Sequence, residues 1–374
     1  MSWVEKRLDE LGYVSRGRSR HRPRDAAHLY GGPYPFVQTG DVKHTDLYIT
    51  EYSQTYSEAG LAQSRLWPRG TLCITIAANI ADTAILGIDA CFPDSIIGFI
   101  ADDSKCDVRF VKYKLDVIKA QYQQVSQGAT QDNLSQEKLL SFPLRVPKDA
   151  AVQRQIAEIL CSYDDLIENN RRRMALLEEA ARQLYREWFV RLRFPGHEHT
   201  RITHGVPEGW ERKPIGEVAT LNYGKALKEE NRLEGATPVY GSSGVVGSHN
   251  EALVTGPGIV VGRKGNVGSV FWSDTPFWPI DTVYFVSPEE SSLFLYHCLK
   301  NVAFQSSDVA VPGLNRTYAH SLKILVPSRT LRAEFEEAVT PMFEQLARLR
   351  TMNERLRAAR DLLLPRLMSG EIAV

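Results

Sequence analysis

The sequence lacks the cysteine spacing that marks disulfide-rich and zinc-binding proteins. Its 374 residues contain five cysteines, Cys73, Cys91, Cys106, Cys161 and Cys298, which lie far apart and form no CxxC pair. An odd number of dispersed cysteines fits neither a disulfide framework nor a zinc site. We therefore expect reduced, buried thiols.

Long apolar runs are also missing. No segment approaches the roughly 20 apolar residues of a membrane span, and the N-terminal sequence MSWVEKRLDE lacks the apolar core of a signal peptide. These two absences predict a soluble protein of the cytoplasm.

Catalytic signatures are the third absence. The chain has no GxSxG elbow, no HExxH helix and no acidic motif of a DEAD-type ATPase. Three histidines, His197, His199 and His204, invite a metal-site interpretation, but no fourth ligand follows at a recognisable spacing, which favours a solvated linker. We predict neither a catalytic constellation nor a metal site.

Net charge is absent as well, because 45 lysines and arginines balance 45 aspartates and glutamates. The overall charge therefore argues neither for nor against a nucleic-acid partner, and only local clusters can decide. The length exceeds that of one ordinary core and predicts two or more domains.

What the chain does contain is a heptad pattern that occurs twice. Apolar or seam residues alternate in steps of four and three over ten layers in each copy. The first seam is Ile156, Leu160, Tyr163, Ile167, Asn170, Met174, Leu177, Ala181, Leu184 and Trp188; the second is Phe335, Val339, Met342, Leu346, Leu349, Asn353, Leu356, Arg360, Leu363 and Leu367. Two similar seams in one chain indicate an internal duplication.

One asparagine in each seam predicts how the two helices pair. In a parallel pair Asn170 would face Leu349, leaving amides in an apolar seam at a cost of roughly 1–3 kcal/mol each. In an antiparallel pair with aligned ends, Asn170 faces Asn353 and Arg360 lies opposite Tyr163. A buried asparagine pair fixes register in coiled coils, so we predict the antiparallel arrangement.

A globular segment precedes each seam, and the two segments begin and end alike. Trp3–Leu8 corresponds to Trp210–Ile215, and each segment closes with a short helix and a strand ending in Pro147 or Pro327. Short β-type runs such as 72–76, 259–261 and 282–286, separated by glycine turns, lie between these ends.

The predicted fold class is mixed α/β, with two α/β domains alternating with two long helices in a pseudo-twofold internal repeat. Each helix should run some 35 residues, or roughly 50 Å, with a break between Asp361 and Pro365 because proline displaces a helix bond. The predicted boundaries are 1–148 and 207–328 for the domains, 149–192 and 329–374 for the helices, and 193–206 for a polar hinge.

The densest basic cluster lies in the first domain, where arginine recurs at every second position from Arg16 to Arg24. Such a loop can lay guanidinium groups along phosphates and direct one or two to guanine edges. A solvated loop, or one that binds protein, is the alternative interpretation.

In the second domain, glycines and cations coincide in residues 262–269, GRKGNVGS. The glycines let the main chain approach a phosphate or a base closely, although the spacing is not that of a P-loop. A tight hairpin with incidental charge is the alternative. We expect removal of Arg263 or Lys264 to weaken DNA binding by about 1–3 kcal/mol if either reads a base.

Further glycine-polar loops recur at matching places in the two domains. Residues 241–244 correspond to residues 39–42, and residues 312–316 correspond to residues 127–133. The segment 223–225, Tyr-Gly-Lys, stands where the first domain has its arginine cluster. Amide side chains suit adenine and arginine suits guanine. The DNA-binding candidates are Arg16, Arg18, Arg20, Arg22, Asn79, Thr130, Gln131, Tyr223, Lys225, Ser242, Ser243, Arg263, Lys264, Asn266, Asn315 and Arg316.

Two domains alternating with two like helices resemble the specificity subunit of type I restriction-modification enzymes. The helix ends carry this resemblance, namely LYREWF at 184–189 and LLLPRLMSGEI at 362–372, together with PVYGSSG at 238–244 and GRKGNVG at 262–268. The first domain departs from the pattern, because TIAANIA at 75–81 replaces GRKGNVG and keeps Asn79 as its polar residue.

The resemblance implies that each globular domain is a target recognition domain reading one half of a bipartite DNA site. The paired helices would set the spacer, something over one turn of B-DNA or about 34 Å, and dock two methyltransferase subunits. Motor-nuclease subunits complete such complexes. The partners would use S-adenosylmethionine, ATP and Mg²⁺, whereas this chain would bind no cofactor and catalyse no step.

A scaffold that holds two protein-binding domains apart remains the alternative function. A neighbouring gene for an adenine methyltransferase distinguishes the two, because a scaffold needs none. No pattern in the sequence identifies the DNA target or the spacer length. Nor does any pattern indicate whether the complex cleaves DNA or only methylates it.

Overall fold

A computed structural model describes residues 2–77, 80–127, 135–305 and 313–374. The chain divides into two compact units, one formed by Met1–Asn170 with Met352–Val374 and the other by Arg171–Thr351. Each unit therefore contains one globular domain and a stretch of both long helices. No helix in the described ranges is long and apolar enough to span a bilayer.

The first domain consists of short strands with helices between them. Its strands are β1 Trp3–Lys6, β2 Gly12–Arg16, β3 Tyr30–Phe36, β4 Tyr48–Ile49, β5 Gln54–Tyr56, β6 Leu72–Thr75, β7 Thr83–Leu86, β8 Ile96–Ala101 and β9 Leu144–Pro147. Its helices are α1 Leu8–Leu11, α2 Thr39–Lys43, α3 Glu58–Ala62, α4 Val108–Gln127 and α5 Gln136–Ser141.

The second domain has a matching series of elements. Its strands are β10 Ile202–Thr203, β11 Val206–Pro207, β12 Glu211–Pro214, β13 Asn222–Tyr223, β14 Thr237–Gly241, β15 Gly244–His249, β16 Gly258–Gly262, β17 Val270–Ser273, β18 Trp278–Pro279, β19 Val283–Val286 and β20 Lys323–Val326. The long helix α6, Ala150–Tyr185, precedes them; α7 Ile215–Val218, α8 Leu293–Lys300 and α9 Arg316–Ser321 lie among them, and α10, Arg329–Ser369, follows.

The central sheets of the two domains have the same strand order. The first is β2-β8-β6-β7-β4 and the second is β13-β19-β16-β17, so β2, β8, β6 and β7 are equivalent to β13, β19, β16 and β17. In each domain the first strand also pairs antiparallel with the last, β1 with β9 and β12 with β20. The duplication predicted from the domain ends thus extends to four strands of the central sheets.

Strand alternation buries both faces of these sheets. In β6, Leu72 and Ile74 join the core that includes Ile156 and Leu160 of α6, whereas Cys73 faces Trp67 in a second cluster. Successive strand residues point to opposite faces, which explains why both sets are apolar. All five cysteines are buried and free, as their dispersed spacing predicts.

The two long helices run antiparallel. In one unit Asp164 contacts Arg360 and Asn170 contacts Asn353, whereas in the other Glu178 contacts Arg350 and Tyr185 packs against Phe335. The partner's residue number falls as that of α6 rises, so the direction of pairing follows directly from these contacts. This is the arrangement that the seam asparagines predict.

Asn170 and Asn353 form the hydrogen bond expected of the antiparallel alignment. The Asn170 Nδ2 donates to Asn353 Oδ1 at 2.9 Å, and Asn353 Nδ2 donates to the Ile167 carbonyl at 3.2 Å. Both residues are 3% exposed. The Asn353 amide is therefore satisfied on both sides inside the seam, at its oxygen by Asn170 and at its nitrogen by the main chain of α6.

Replacing Asn170 alone with leucine should lower the free energy of unfolding by about 1–3 kcal/mol, because Asn353 loses its donor while remaining buried. The double variant N170L/N353L should unfold near the wild-type urea concentration or above it, since no polar group is then stranded. Leucine at the exposed neighbour Asn169 is the matched control. Equal midpoints for N170L and N169L would contradict this expectation.

Two predictions about the helices are wrong. Arg360 does not lie against Tyr163: its Nη1 donates to Asp164, the next residue. A straight helix has 3.6 residues per turn and drifts from a strict heptad, so the buried face moves from Tyr163 to Asp164, whose carboxylate suits a guanidinium better than a ring does.

The second error concerns the helix break, because α10 continues through Asp361 and Pro365 to Ser369. Leu367 and Met368, beyond the proline, are buried in the core of the first domain. Their burial offsets the hydrogen bond that proline removes, which explains why the helix does not end there.

The segment 193–206 is folded rather than a bare hinge. Phe194 is buried, with its ring centroid 4.9 Å from that of Trp210. A short 3-10 turn covers His197–His199, and β10 pairs with β11. The buried aromatic contact fixes the segment to the second domain, which its polar composition did not predict.

Candidate nucleic-acid interface

Loops from several strands of the second domain meet at one end of its central sheet. Strand β13 ends at Tyr223, β19 begins at Val283, and residues 263–269 connect β16 to β17. Because β13, β19, β16 and β17 pair antiparallel in that order, these three points lie at the same end of the sheet. Candidate residues that are distant in sequence are thereby brought together.

The turn between β16 and β17 is held by hydrogen bonds across its base. The Gly262 N–H donates to the Ser269 carbonyl at 2.7 Å, and the Gly268 N–H donates to the Gly262 carbonyl at 2.9 Å. Gly265 and Gly268 have φ of 76° and 77°, a region that disfavours a side chain. The turn presents Arg263, Lys264 and Asn266 outside the sheet.

The ring of Tyr223 has two guanidinium groups over it. The Cζ atoms of Arg263 and Arg316 are 5.0 and 4.8 Å from the centre of its ring, within the range of cation–π attraction. The ring of Tyr284 packs beside it at 5.1 Å, and Tyr223 is 49% exposed. These contacts form a rigid, cationic and aromatic surface of the kind that approaches phosphates and bases.

The segment carrying Arg316 is tied to the same turn. The Leu314 N–H donates to the Arg263 carbonyl at 2.8 Å, and Lys264 forms a β-bridge with Gly313. Asn315 caps helix α9, where its Oδ1 accepts from the Tyr318 N–H at 3.0 Å. The Asn315 Oδ1 is therefore occupied by this capping hydrogen bond at the start of the helix.

The remaining candidates of the second domain surround this centre. Lys225 lies with its Nζ 5.7 Å from the Trp278 ring, and Ser242 accepts a hydrogen bond at its carbonyl from Ser269 Oγ at 2.6 Å. Ser243 and Asn266 are exposed on their turns. The described candidates of this domain therefore gather on the turns and element ends around one end of the central sheet.

The arginine cluster of the first domain divides into two groups. Arg16, Arg18 and Arg20 have exposed side chains, and the Arg16 Nε donates to the Asp94 carbonyl at 3.1 Å. Arg22 instead turns back, with its Nη1 donating to the carbonyls of Ser19 and His21. Arg22 thus stabilises the loop that displays the others.

Asn79, Thr130 and Gln131 lie outside the described residues.

Main-chain hydrogen bonds align the loops of the two domains residue by residue. In the first domain the Gly17 N–H donates to the Ile96 carbonyl and the Arg18 N–H donates to the Phe92 carbonyl. In the second domain the Gly224 N–H donates to the Val283 carbonyl and the Lys225 N–H donates to the Pro279 carbonyl. Arg18 therefore occupies the position of Lys225.

The second loop aligns equally well. The Ile76 N–H donates to the Ser95 carbonyl, as the Arg263 N–H donates to the Thr282 carbonyl. Ala81, with φ of 63°, donates its N–H to the Thr75 carbonyl, as Gly268 donates to the Gly262 carbonyl. Ile76 is buried at the place of Arg263. The first domain thus carries its cations on the loop after β2, whereas the second carries two of them on the turn after β16.

Sequence analysis missed an aspartate that lies among these cations in each domain. Asp94 and Asp281 both precede the equivalent strands β8 and β19. The Arg24 Nη2 lies 3.0 Å from each carboxylate oxygen of Asp94, and Lys264 Nζ lies 3.9 Å from Asp281. Matching the two repeats strand by strand, rather than by their ends, would have paired these residues.

Comparisons with known proteins agree with this architecture. The family model for the type I restriction modification DNA specificity domain matches residues 1–179 and 207–330. The chain is 23% identical to the type I restriction enzyme MjaIX specificity subunit of Methanocaldococcus jannaschii, over 100% of this chain and 94% of that protein. It is 22% identical to the HindI specificity subunit of Haemophilus influenzae, over 66% of this chain and 72% of that protein.

A solved structure has the same fold. The type I restriction-modification system S subunit from M. genitalium aligns with a TM-score of 0.64 at 19% identity, covering 98% of this chain and 96% of that one. The family model covers both domains and more than half of the sequence. This chain therefore belongs to the type I restriction-modification DNA specificity domain family.

Proposed function

We propose that this protein is the DNA-sequence-specificity subunit of a type I restriction-modification complex, with each globular domain binding one half of a bipartite target. The observation that carries the proposal is that loops at the same end of equivalent sheets display cations in both domains. Family membership and the names of the relatives support it.

The proposed chemistry of this chain is recognition without catalysis. Arg263 and Arg316, held against Tyr223, present charged and planar groups to phosphates and base edges. Methyl transfer and cleavage would belong to two methyltransferase subunits and to motor-endonuclease subunits, which would use S-adenosylmethionine, ATP and Mg²⁺. Because the target is the host's own DNA, we expect the complex to act in the cytoplasm.

The long helices are the proposed docking element for the methyltransferase subunits. Each exceeds 30 residues, and their outer faces carry exposed apolar and charged side chains, including Leu362 and Arg348. An internal repeat offers two similar surfaces on one chain, which suits two identical partners.

A domain exchange tests the proposed function. The chain is co-expressed with its methyltransferase partner, methylated adenines are mapped in host DNA, and residues 207–328 are then replaced with those of another family member. A split motif in which one half changes and the other stays would support the proposal. A stable complex without sequence-dependent methylation would favour the scaffold.

Arg263→Ala should weaken binding of the complex to its cognate duplex by about 1–3 kcal/mol, roughly 5- to 150-fold. The loss removes both a cation and the group that stacks on Tyr223. Lys213→Ala is the control, since Lys213 is a cation of the same domain that pairs with Glu211 on β12. Equal affinities for both variants in a fluorescence-anisotropy titration would reject a DNA contact at Arg263.

A further inference from the structure

An aspartate lies among the cations at the same place in both domains. Asp94 lies in the turn that leads into β8, and Asp281 lies in the equivalent turn that leads into β19. Both carboxylates are partly exposed, at 42% and 50% of the side chain. A negative charge on a surface that is proposed to approach phosphates opposes binding, so its presence in both copies calls for a compensating role.

Each aspartate contacts two cations through two different groups. The Asp94 carbonyl accepts from Arg16 Nε at 3.1 Å while its carboxylate accepts from Arg24 Nη2, with both oxygens at 3.0 Å. The Asp281 carbonyl accepts from Arg263 Nη1 at 3.2 Å, and its carboxylate lies 3.9 Å from Lys264 Nζ.

The cations come from different loops in the two domains, yet they converge on the equivalent aspartate. Arg16 ends β2 and Arg24 belongs to the loop that follows it, whereas Arg263 and Lys264 belong to the turn after β16. Convergence from two different loops means that the contact is not a by-product of one loop's conformation. The feature common to both domains is the aspartate, not the position of the cations in the sequence.

We infer that Asp94 and Asp281 are positioning residues, each fixing the direction of the cations with which its domain reads its half of the target. A cation free to rotate pairs with any phosphate within reach, whereas one held by an acceptor matches a narrower set of base and phosphate positions. This inference rests on the proposed function, because it specifies how the same loops discriminate between sequences.

The test uses Asp281→Asn and Asp94→Asn in the complete chain, assembled with its methyltransferase partner. Asparagine keeps the size and the main-chain carbonyl but removes the negative charge. Binding is measured to four duplexes: the target defined by methylation mapping, versions with either half scrambled, and one unrelated sequence. The readout is the ratio of affinities between the intact and the scrambled duplexes.

For D281N we expect the ratio for the second-domain half to fall by on the order of five- to tenfold, with the ratio for the other half unchanged. For D94N we expect the ratio for the first-domain half to fall and the ratio for the other half to stay unchanged. The fall should be larger than for D281N, because the contact of Arg24 with Asp94 is shorter than that of Lys264 with Asp281. Binding to the unrelated duplex should stay equal or strengthen because a repulsive charge is lost.

Matched controls remove an acid at the opposite end of the same strands. Glu289 follows β19 and Asp103 follows β8, and both are exposed. E289Q and D103N should leave every ratio at its wild-type value. If D281N and D94N change affinity for all four duplexes by one common factor, the aspartates merely repel phosphates and the inference is overturned. A wild-type complex that binds all four duplexes equally would instead reject the proposed function.

Discussion

Replacing Asp164 with alanine should lower the free energy of unfolding by about 3–5 kcal/mol, because it strands a buried positive charge. Asp164 is 3% exposed in its side chain and Arg360 is 19% exposed. The same carboxylate accepts from the Tyr113 hydroxyl, so the substitution removes the carboxylate acceptor of both the Arg360 Nη1 and that hydroxyl. Urea unfolding followed by tryptophan fluorescence measures the loss.

Asp361→Ala provides the matched control for this prediction. Asp361 also pairs with Arg360, at 2.9 Å, but its side chain is 60% exposed. An exposed ion pair contributes about 0–1 kcal/mol, so D361A should unfold close to the wild-type urea concentration. Similar midpoints for D164A and D361A would show that burial of the Asp164 pair contributes nothing beyond a surface contact.

Phe335→Ala should cost a similar amount, about 3–5 kcal/mol, by opening a cavity in the second unit. Phe335 is fully buried, and its ring contacts those of Tyr185, Trp188 and Phe189 near the end of the antiparallel helix pair. Aromatic pairs at these distances stabilise the fold beyond the effect of the area that they bury. The expected loss therefore lies in the upper part of the range for core truncations.

The ring of His297 belongs to the same cluster, 6.1 Å from that of Phe335. Burial, and then Lys300, lowers the pKa of His297 to about 4. The ring is therefore neutral at neutral pH, so it packs beside Phe335 without an unpaired charge. The His297 contribution to stability is present above the unfolded pKa, about 6.5, and is lost as pH falls through 4.

Leu176→Ala is the control for Phe335→Ala. Leu176 lies on α6 in the same unit but is 69% exposed, so its truncation removes little buried surface. Thermal unfolding followed by circular dichroism at 222 nm should separate the two variants by several degrees. An F335A transition that coincides with that of L176A would refute the assignment of Phe335 to the core.

The helix pair was the part of the fold most accessible to sequence analysis. A heptad pattern is local, and one buried asparagine per seam admits few alignments, so the contact of Asn170 with Asn353 follows from two short stretches. Prediction failed two layers away, where Asp164 replaces Tyr163 opposite Arg360. Which neighbour enters a seam depends on the domain packed against the helix, here through Tyr113.

The loops were less accessible, and for a different reason. Arg263 and Tyr223 were candidates because of their residue types, but nothing in the sequence placed Arg263 and Arg316 over the ring of Tyr223. That arrangement depends on strand order, which brings the end of β13 beside the turn after β16. Loops read DNA only after the sheet has oriented them.

The duplication, the long helices and their antiparallel register follow from local patterns of residues, because periodicity and a single polar seam residue act over short distances along the chain. Which charges meet, by contrast, depends on how the chain folds. Arg16 and Arg24 reach Asp94, and Arg263 and Lys264 reach Asp281, through contacts between different loops. The physical reason is that hydrogen bonds and ion pairs depend on distances in space, and these are fixed only once the strands have paired.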